Sequence, residues 1–302
     1  MIGSYINGNY KVTIYEDGTK VRETLDPEAT EFIPEFAENC DVKITDRCDG
    51  NCPMCYEGCT KDGKHADLRH TILDLDSLHP YTELALNGND LSHPHLVWFL
   101  DELKKRKVIA NMTVNQIHFE KHKNYLKAMI DRGLIHGLGI SLRNPTEDFI
   151  KKVKEFPNAV IHVINGVITP EQWYVLCDNN LKVLILGYKR TGRGKAYLEG
   201  HFDDVKNNVD FTVKMLPMLI NHFKVVSFDN LAIEQLGVRH LISDEKWDEF
   251  YMGDDGSHTF YMDLVENTFS KNSITDERWY MLPNIDDMFH IIRDEKKREE
   301  SE

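Results

Sequence analysis

The chain has 302 residues and a formal net charge of −14, from 36 basic and 50 acidic side chains. A surface this acidic repels a phosphate backbone, which argues against a nucleic-acid partner. The sequence has no apolar run of about eighteen residues and no secretory signal pattern at its start, so neither a membrane span nor export is predicted.

The first 39 residues predict a small β-hairpin. Asn7-Gly8 and Asp17-Gly18 are hairpin turn signals, and they flank an alternating run at 10–15. Residues 20–22 would form the returning strand. Because a lone hairpin is only marginally stable, we expect this segment to cap or extend the domain that follows.

From residue 40 to 228, short apolar strands alternate with helical stretches, a pattern typical of a parallel sheet with right-handed crossovers. The predicted strands are 42–45, 83–86, 108–114, 137–142, 159–167 and 182–187, with a possible addition at 224–228. The predicted helices are 95–107, 120–132, 146–155 and 170–179. The fold class is therefore α/β, with strand and helix repeating six times.

Residues 229–302 depart from this alternation and predict a small α+β C-terminal extension. Residues 247–250 read as helix, 254–257 as a turn, 258–269 as one strand and 285–293 as a final helix. Residues 294–302 are almost wholly charged, so this tail is predicted to be disordered.

Three cysteines, Cys48, Cys52 and Cys55, are spaced C-x3-C-x2-C on one short segment directly after the first predicted strand. Five of the six cysteines fall between residues 40 and 59, which suits metal binding in a reducing, cytoplasmic compartment better than disulfides. Thiolates hold iron–sulfur clusters, and three ligands leave one iron of a four-iron cluster open. The alternative is a structural zinc site completed by Cys59 and His65.

The C-x3-C-x2-C segment resembles the signature of the radical S-adenosylmethionine (SAM) enzymes. The resemblance implies a [4Fe–4S] cluster on Cys48, Cys52 and Cys55, with SAM chelated by the free iron. It also implies reductive cleavage of SAM to a 5′-deoxyadenosyl radical that takes a hydrogen atom from a substrate. The expected electron donor is a protein such as flavodoxin or ferredoxin.

The same resemblance implies a partial TIM-like (β/α)6 barrel over residues 40–228, with SAM held at the carboxyl ends of its strands. The second strand ends in Asn87-Gly88-Asn89, a partial match to the family segment that contacts the SAM amino group. Such residues are equally typical of an ordinary turn. Polar residues at the next two strand ends are similar to those that hold the SAM ribose and carboxylate, namely Asn115, Ser141 and Arg143.

The fifth strand carries His162-Val163-Ile164-Asn165-Gly166 followed by Glu171, which is similar to the Gly-x-Ile-x-Gly-x4-Glu motif that shapes the adenine site in this family. Ile164 and Gly166 fit the motif, whereas His162 replaces its first glycine. The residue before the third cysteine is usually aromatic in the family and is Met54 here. A thioether also packs against rings, so Met54 is assigned to the adenine site, with Tyr56 as the alternative.

The sixth strand runs into a glycine-rich basic loop that contains Lys189, Arg190 and Arg193. Its position at the predicted barrel mouth favours binding of an anionic group, either of the substrate or of SAM, although a solvated surface loop is the simpler alternative. The sequence predicts a small-molecule or peptide substrate and does not identify it.

Overall fold

The computed structural model describes residues 1–299, and its fold is α/β. It has a three-stranded antiparallel sheet at the N-terminus and a ten-stranded, mostly parallel sheet that carries the helices. The small sheet consists of β1 (Gly3–Asn7), β2 (Tyr10–Ile14) and β3 (Lys20–Thr24). The predicted hairpin is β2–β3, and β1 extends it by one strand that pairs with β2 across the Asn7-Gly8 turn.

The large sheet has the strand order β10–β9–β8–β7–β6–β5–β4–β11–β12–β13. Strands β4 to β11 are parallel, and the last two run antiparallel. The strands are β4 (Asn39–Lys43), β5 (Glu83–Asn89), β6 (Ile109–Asn115), β7 (Leu138–Ser141), β8 (Ala159–Ile164), β9 (Lys182–Leu186), β10 (Val225–Phe228), β11 (Thr259–Asp263), β12 (Thr268–Ser270) and β13 (Trp279–Tyr280).

The helices follow the strands along the chain. They are α1 (Leu96–Lys105), α2 (Gln116–Asp131), α3 (Glu147–Val153), α4 (Pro170–Leu176), α5 (Arg193–Gly200), α6 (Phe202–Leu219), α7 (Asn230–Leu236), α8 (Asp244–Phe250) and α9 (Ile285–Glu299). Helices α1 to α4 each bury one large aromatic ring in the core, namely Phe99, Phe119, Phe149 and Trp173. Helix α4 has a clear N-cap, since the Thr169 side chain accepts from the Gln172 amide and Pro170 stands in the first turn.

Alternation along each strand divides the core from a cavity on the opposite face. In β5, Leu84 and Leu86 are buried among the helices, whereas Glu83, Ala85 and Asn87 line the cavity. The period of two places every second residue on the cavity side. Polar residues therefore occupy these positions without disturbing the hydrophobic layer behind them.

The C-terminal segment belongs to the same sheet as the α/β repeats, because β11 pairs in parallel with β4. The division of the chain at residue 229 stays a prediction, although the sheet runs continuously across it. The single strand predicted at 258–269 is wrong: the chain turns at 264–267, where the Asp263 carboxylate accepts from the Val265 and Glu266 amides. Part of the predicted disordered tail is helical, since α9 continues to Glu299, and residues 300–302 lie outside the described part.

A buried charge cluster joins the N-terminal sheet to the large sheet. The Glu38 carboxylate accepts from the Tyr10 hydroxyl at 2.5 Å and from the Arg22 Nε at 2.8 Å, and Lys20 Nζ lies 3.5 Å from it. Lys20 also pairs with Glu83 on β5 at 2.6 Å. Burial alone would raise the pKa of Glu38, but Lys20 and Arg22 outweigh this effect and hold the pKa below its usual value of 4.5.

We expect Glu38→Gln to lower the free energy of unfolding by about 3 kcal/mol, because it leaves the Arg22 guanidinium without its anion and Lys20 with Glu83 alone. The lowered pKa also has a pH signature: the contribution of Glu38 is complete above the unfolded value and is lost as pH falls through the folded value. Urea unfolding as a function of pH measures both effects. Glu23→Gln, at an exposed position on β3, is the matched control and should change stability by less than about 0.5 kcal/mol.

Within residues 1–299, no helix combines the length and the apolar composition needed to cross a bilayer.

Candidate active site

The inner face of the large sheet surrounds a cavity of about 1050 Å³. Residues on β4 to β11 line its wall, and the turn between β2 and β3 contributes Asp17, Gly18 and Thr19 at the end where the strands begin. That turn is fastened by hydrogen bonds, since Lys182 donates to the Asp17 carbonyl at 2.8 Å and Asn158 donates to the Glu16 carbonyl at 2.7 Å. The opposite end, where the strands finish, carries the cysteine segment.

Cys48, Cys52 and Cys55 all line this cavity. Their loop follows β4 directly, so the parallel sheet places it beside the carboxyl ends of β5 to β9. Burial raises the pKa of the Cys48 thiol to about 11. The neighbouring Cys59 thiol lowers the pKa of Cys55, which favours the thiolate form that binds metals.

Two residues predicted at strand ends contact the second cysteine. Asn115 Nδ2 and Arg143 Nη1 each lie 3.1 Å from Cys52 Sγ. The Asn115 side chain also caps α2 by accepting from the Ile117 amide, which fixes its orientation. A charged and a neutral donor directed at one sulfur stabilise a thiolate there.

The predicted Asn87-Gly88-Asn89 segment forms hydrogen bonds with the start of the cysteine loop. Asn87 Nδ2 and Asn89 Nδ2 donate to the Thr45 carbonyl at 3.0 and 3.1 Å, and Asn89 also reaches the Arg47 carbonyl at 3.2 Å. Gly88 lies at a register shift between β5 and β6, where a side chain would meet Met112. Both asparagines line the cavity, whereas Gly88 is buried behind it.

The residues assigned to the adenine site fall on two sides of the sheet. Met54 and Ile164 line the cavity, and so does Ser141, which was assigned to the SAM ribose and carboxylate. Gly166 has a φ of +80°, and a side chain there would meet Val205 on α6 at 2.8 Å. Gly166 therefore serves helix packing, and a bulky substitution at this position would disturb α6 before it tested ligand binding.

The basic loop after β9 packs against the cysteine loop. Arg193 Nε donates to the Cys52 carbonyl at 3.0 Å, and Arg193 Nη1 donates to the carbonyls of Gly58 and Cys59 at 3.2 and 3.0 Å. The Arg193 amide donates to the Cys55 carbonyl. Gly192 permits this close approach, since a Cβ there would lie 2.3 Å from the Tyr56 carbonyl oxygen.

The three predicted anion-binding cations thus have different surroundings. The Arg193 guanidinium is engaged by backbone carbonyls, and Arg190 is exposed outside the cavity. Lys189 lines the cavity, donates to Ser273 Oγ at 3.0 Å and stands 4.2 Å from the centre of the Tyr56 ring. Anion binding by this loop stays a prediction, and only Lys189 is placed to contribute to it from inside the cavity.

Other polar residues of the cavity wall were missed by the sequence interpretation. Asp41, Glu57 and Tyr261 line the cavity, and so does His162 on β8. Burial lowers the pKa of His162 to about 4, so this imidazole is neutral at physiological pH. The alternation Cys40-Asp41-Val42-Lys43, apolar and charged in turn, was the available signal for a strand with one polar face.

Cys59 and His65, the proposed completion of a zinc site, have other partners. Cys59 Sγ donates to Glu57 at 3.3 Å, and His65 Nδ1 lies 2.8 Å from the Thr45 hydroxyl. In the described range 1–299, no three His, Cys, Asp or Glu side chains converge to hold a single ion. Convergence matters for zinc because its bonds to sulfur are ~2.3 Å long, so the sulfur ligands of one tetrahedral zinc ion lie about 4 Å from one another.

Among solved structures, the fold is similar to that of SuiB from Streptococcus suis, whose crystal structure was determined bound to S-adenosylmethionine. The TM-score is 0.54 at 12% sequence identity, and the similarity covers 82% of this chain. This chain spans 64% of the length of the SuiB chain. No protein-family model and no curated protein matches the sequence. At this level of identity, the likeness to SuiB shows a shared fold alone.

Proposed function

We propose that this chain is a radical SAM enzyme that binds a [4Fe–4S] cluster through Cys48, Cys52 and Cys55. The observation that carries the proposal is the placement of three thiols of one loop in the same cavity as the polar carboxyl ends of the parallel strands. Active sites of parallel α/β barrels lie at this end of the strands. The likeness of the fold to SuiB, a structure solved with SAM, supports the proposal.

The three cysteine ligands fit an iron–sulfur cluster better than a single metal ion. A cubane cluster takes each cysteine on a different iron, so its thiolates do not need to converge as zinc ligands do. The Asn115 and Arg143 donors at 3.1 Å from Cys52 Sγ would stabilise a coordinated thiolate and help to set its redox potential. When bound, the cluster would supply the electron for reductive cleavage of SAM, received from a protein such as flavodoxin or ferredoxin.

SAM is proposed to bind across the carboxyl ends of β4 to β8, in the manner of a partial (β/α)6 barrel. Met54, Ser141 and Ile164 face that space, and Arg143 lies at its edge. The asparagines at 87 and 89 hold the loop on which the cluster would stand. Abstraction of a hydrogen atom from a small-molecule or peptide substrate would take place in this cavity, where the protein orients SAM and the substrate.

The test is anaerobic purification followed by iron, sulfide and zinc analysis, and then incubation with SAM and dithionite. The expected result is about four irons and four sulfides per chain, with 5′-deoxyadenosine released by the wild type and not by Cys52→Ala. Cys177→Ala is the matched control, since this thiol lies at the end of α4 away from the cavity, and it should release 5′-deoxyadenosine normally. Zinc without iron in the anaerobic protein would overturn the proposal.

A further inference from the structure

Asp41 is unlike the other carboxylates that line the cavity. Among residues 1–299, seven cavity carboxylates have hydrogen-bond or ion-pair partners in the protein, and Asp41 alone has none. The partnered residues are Asp17, Glu38, Glu57, Glu83, Asp229, Asp254 and Asp255. Asp41 is exposed to the cavity, so a cationic ligand there can reach its carboxylate without displacing a protein partner.

The position of Asp41 is set by the sheet register. Asp41 lies opposite Tyr261 on β11 and Ala85 on β5, and all three line the cavity. The small Ala85 side chain leaves space beside the carboxylate, and the Tyr261 ring forms an adjacent wall. Lys43 lies two residues farther along β4, so Asp41 is about 7 Å deeper in the cavity, away from the cysteine loop.

The charge around Asp41 is predominantly negative. Burial raises the pKa of Asp41 to about 6; Lys189 opposes this increase, whereas Asp255, Asp229 and Glu57 reinforce it. The Asp41 carboxylate is accessible to water inside the cavity, yet the protein around it still disfavours its charged form. Of these four charged neighbours three are carboxylates, and the fourth, the Lys189 ammonium, is directed at Ser273 and the Tyr56 ring.

We propose that Asp41 binds a positively charged amino group of the substrate, within the cavity that the proposed function assigns to substrate and SAM. A protonated amine satisfies the unpaired carboxylate and reduces the local excess of negative charge. This assignment narrows the substrate class to amine-bearing molecules, including peptides that present a lysine side chain or a free amino terminus.

The test uses 1,5-diaminopentane as the probe and 1,5-pentanediol as its neutral counterpart, with the full chain carrying its reconstituted cluster. Calorimetric titration near neutral pH should show binding of the diamine at concentrations up to about 10 mM and no binding of the diol. Asp41→Asn, which keeps the side-chain shape, should weaken diamine binding about tenfold or more. Asp248→Asn, at an exposed position on α8, is the control and should bind the diamine as the wild type does.

The affinity for the diamine is expected to change with pH in one direction. Protonation of Asp41 removes its charge, so diamine binding by the wild type should fall as pH decreases through about 6, and Asp41→Asn should lack this dependence. Equal diamine affinity in Asp41→Asn and wild type, or equal binding of diol and diamine, would overturn the proposal. Absence of diamine binding in the wild type would overturn it too.

SAM also carries an amino group, so its affinity is measured in parallel. Loss of SAM binding in Asp41→Asn with diamine binding intact would assign the carboxylate to SAM and refute the substrate role. Failure of the radical SAM proposal has a separate readout, because a protein that contains zinc and no iron can still be titrated with the diamine. The amine-binding role of Asp41 and the radical SAM proposal are therefore tested by different measurements.

Discussion

Replacement of Cys48, Cys52 or Cys55 by alanine is expected to abolish the brown iron–sulfur chromophore and all reductive cleavage of SAM. The three thiols lie on one loop at the carboxyl end of the sheet, and each would ligate a separate iron. Loss of one ligand exposes a second iron of the cluster, which then degrades. Visible absorption and iron content of anaerobically purified protein measure the effect directly.

Cys59→Ala and Cys177→Ala are the controls for this experiment. Cys177 lies at the end of α4, outside the cavity, and Cys59 donates to Glu57 and does not belong to the C-x3-C-x2-C segment. Both variants should keep the chromophore. A cluster retained in Cys52→Ala, or lost in Cys177→Ala with the fold intact, would show that the ligands have been assigned incorrectly.

Arg193→Ala is expected to destabilise the cysteine loop strongly, lowering both the free energy of unfolding and the amount of cluster incorporated. The guanidinium donates to the carbonyls of Cys52, Gly58 and Cys59, all within 3.2 Å. Hydrogen bonds from a charged donor contribute about 1.5–3 kcal/mol each and are not additive, so we expect a total loss of about 3 kcal/mol. Denaturant unfolding of the apo-protein and iron analysis after reconstitution are the two measurements.

Arg190→Ala removes a cation from the same loop and is the matched control. Because Arg190 is exposed and contacts neither the cysteine loop nor the cavity, its removal should change stability by less than about 0.5 kcal/mol. Equal behaviour of the two variants would mean that Arg193 does not hold the cysteine loop. A variant of Arg193 that kept its stability and cluster but lost affinity for an anion would instead favour the anion-binding role.

The α/β alternation could be predicted because its signal is local. Each of the strands β4 to β10 contains β-branched or aliphatic residues at alternate positions, and most of the helices show clear caps, such as Thr169 before α4. Helices α5 and α6 were not predicted. The first begins in the glycine-rich stretch Gly192-Arg193-Gly194, which is typical of a loop, and contacts with the cysteine loop outweigh that local tendency.

The proposed cluster ligands could be predicted from the sequence, whereas the contacts that support the cysteine loop could not. The cysteine spacing is contiguous in sequence, so the chemistry of three thiolates on one loop can be inferred directly. The partners of Arg193 are backbone carbonyls about 135 residues away, which no side-chain pattern reveals. The position of Asp41 follows from the strand register, which places it opposite Tyr261 and Ala85 on the cavity face and cannot be derived from a local pattern.

The pairing of β4 with β11 has a consequence for biosynthesis. The two strands are 220 residues apart in the chain, a long-range contact of the kind that slows folding. At a synthesis rate of ~5–20 residues per second, β11 emerges about 10–40 s after β4. Until then, the strand that leads into the cysteine loop has one open edge, which can pair with other chains. The proposed cluster would therefore be inserted late in assembly, after β11 has left the ribosome and paired with β4.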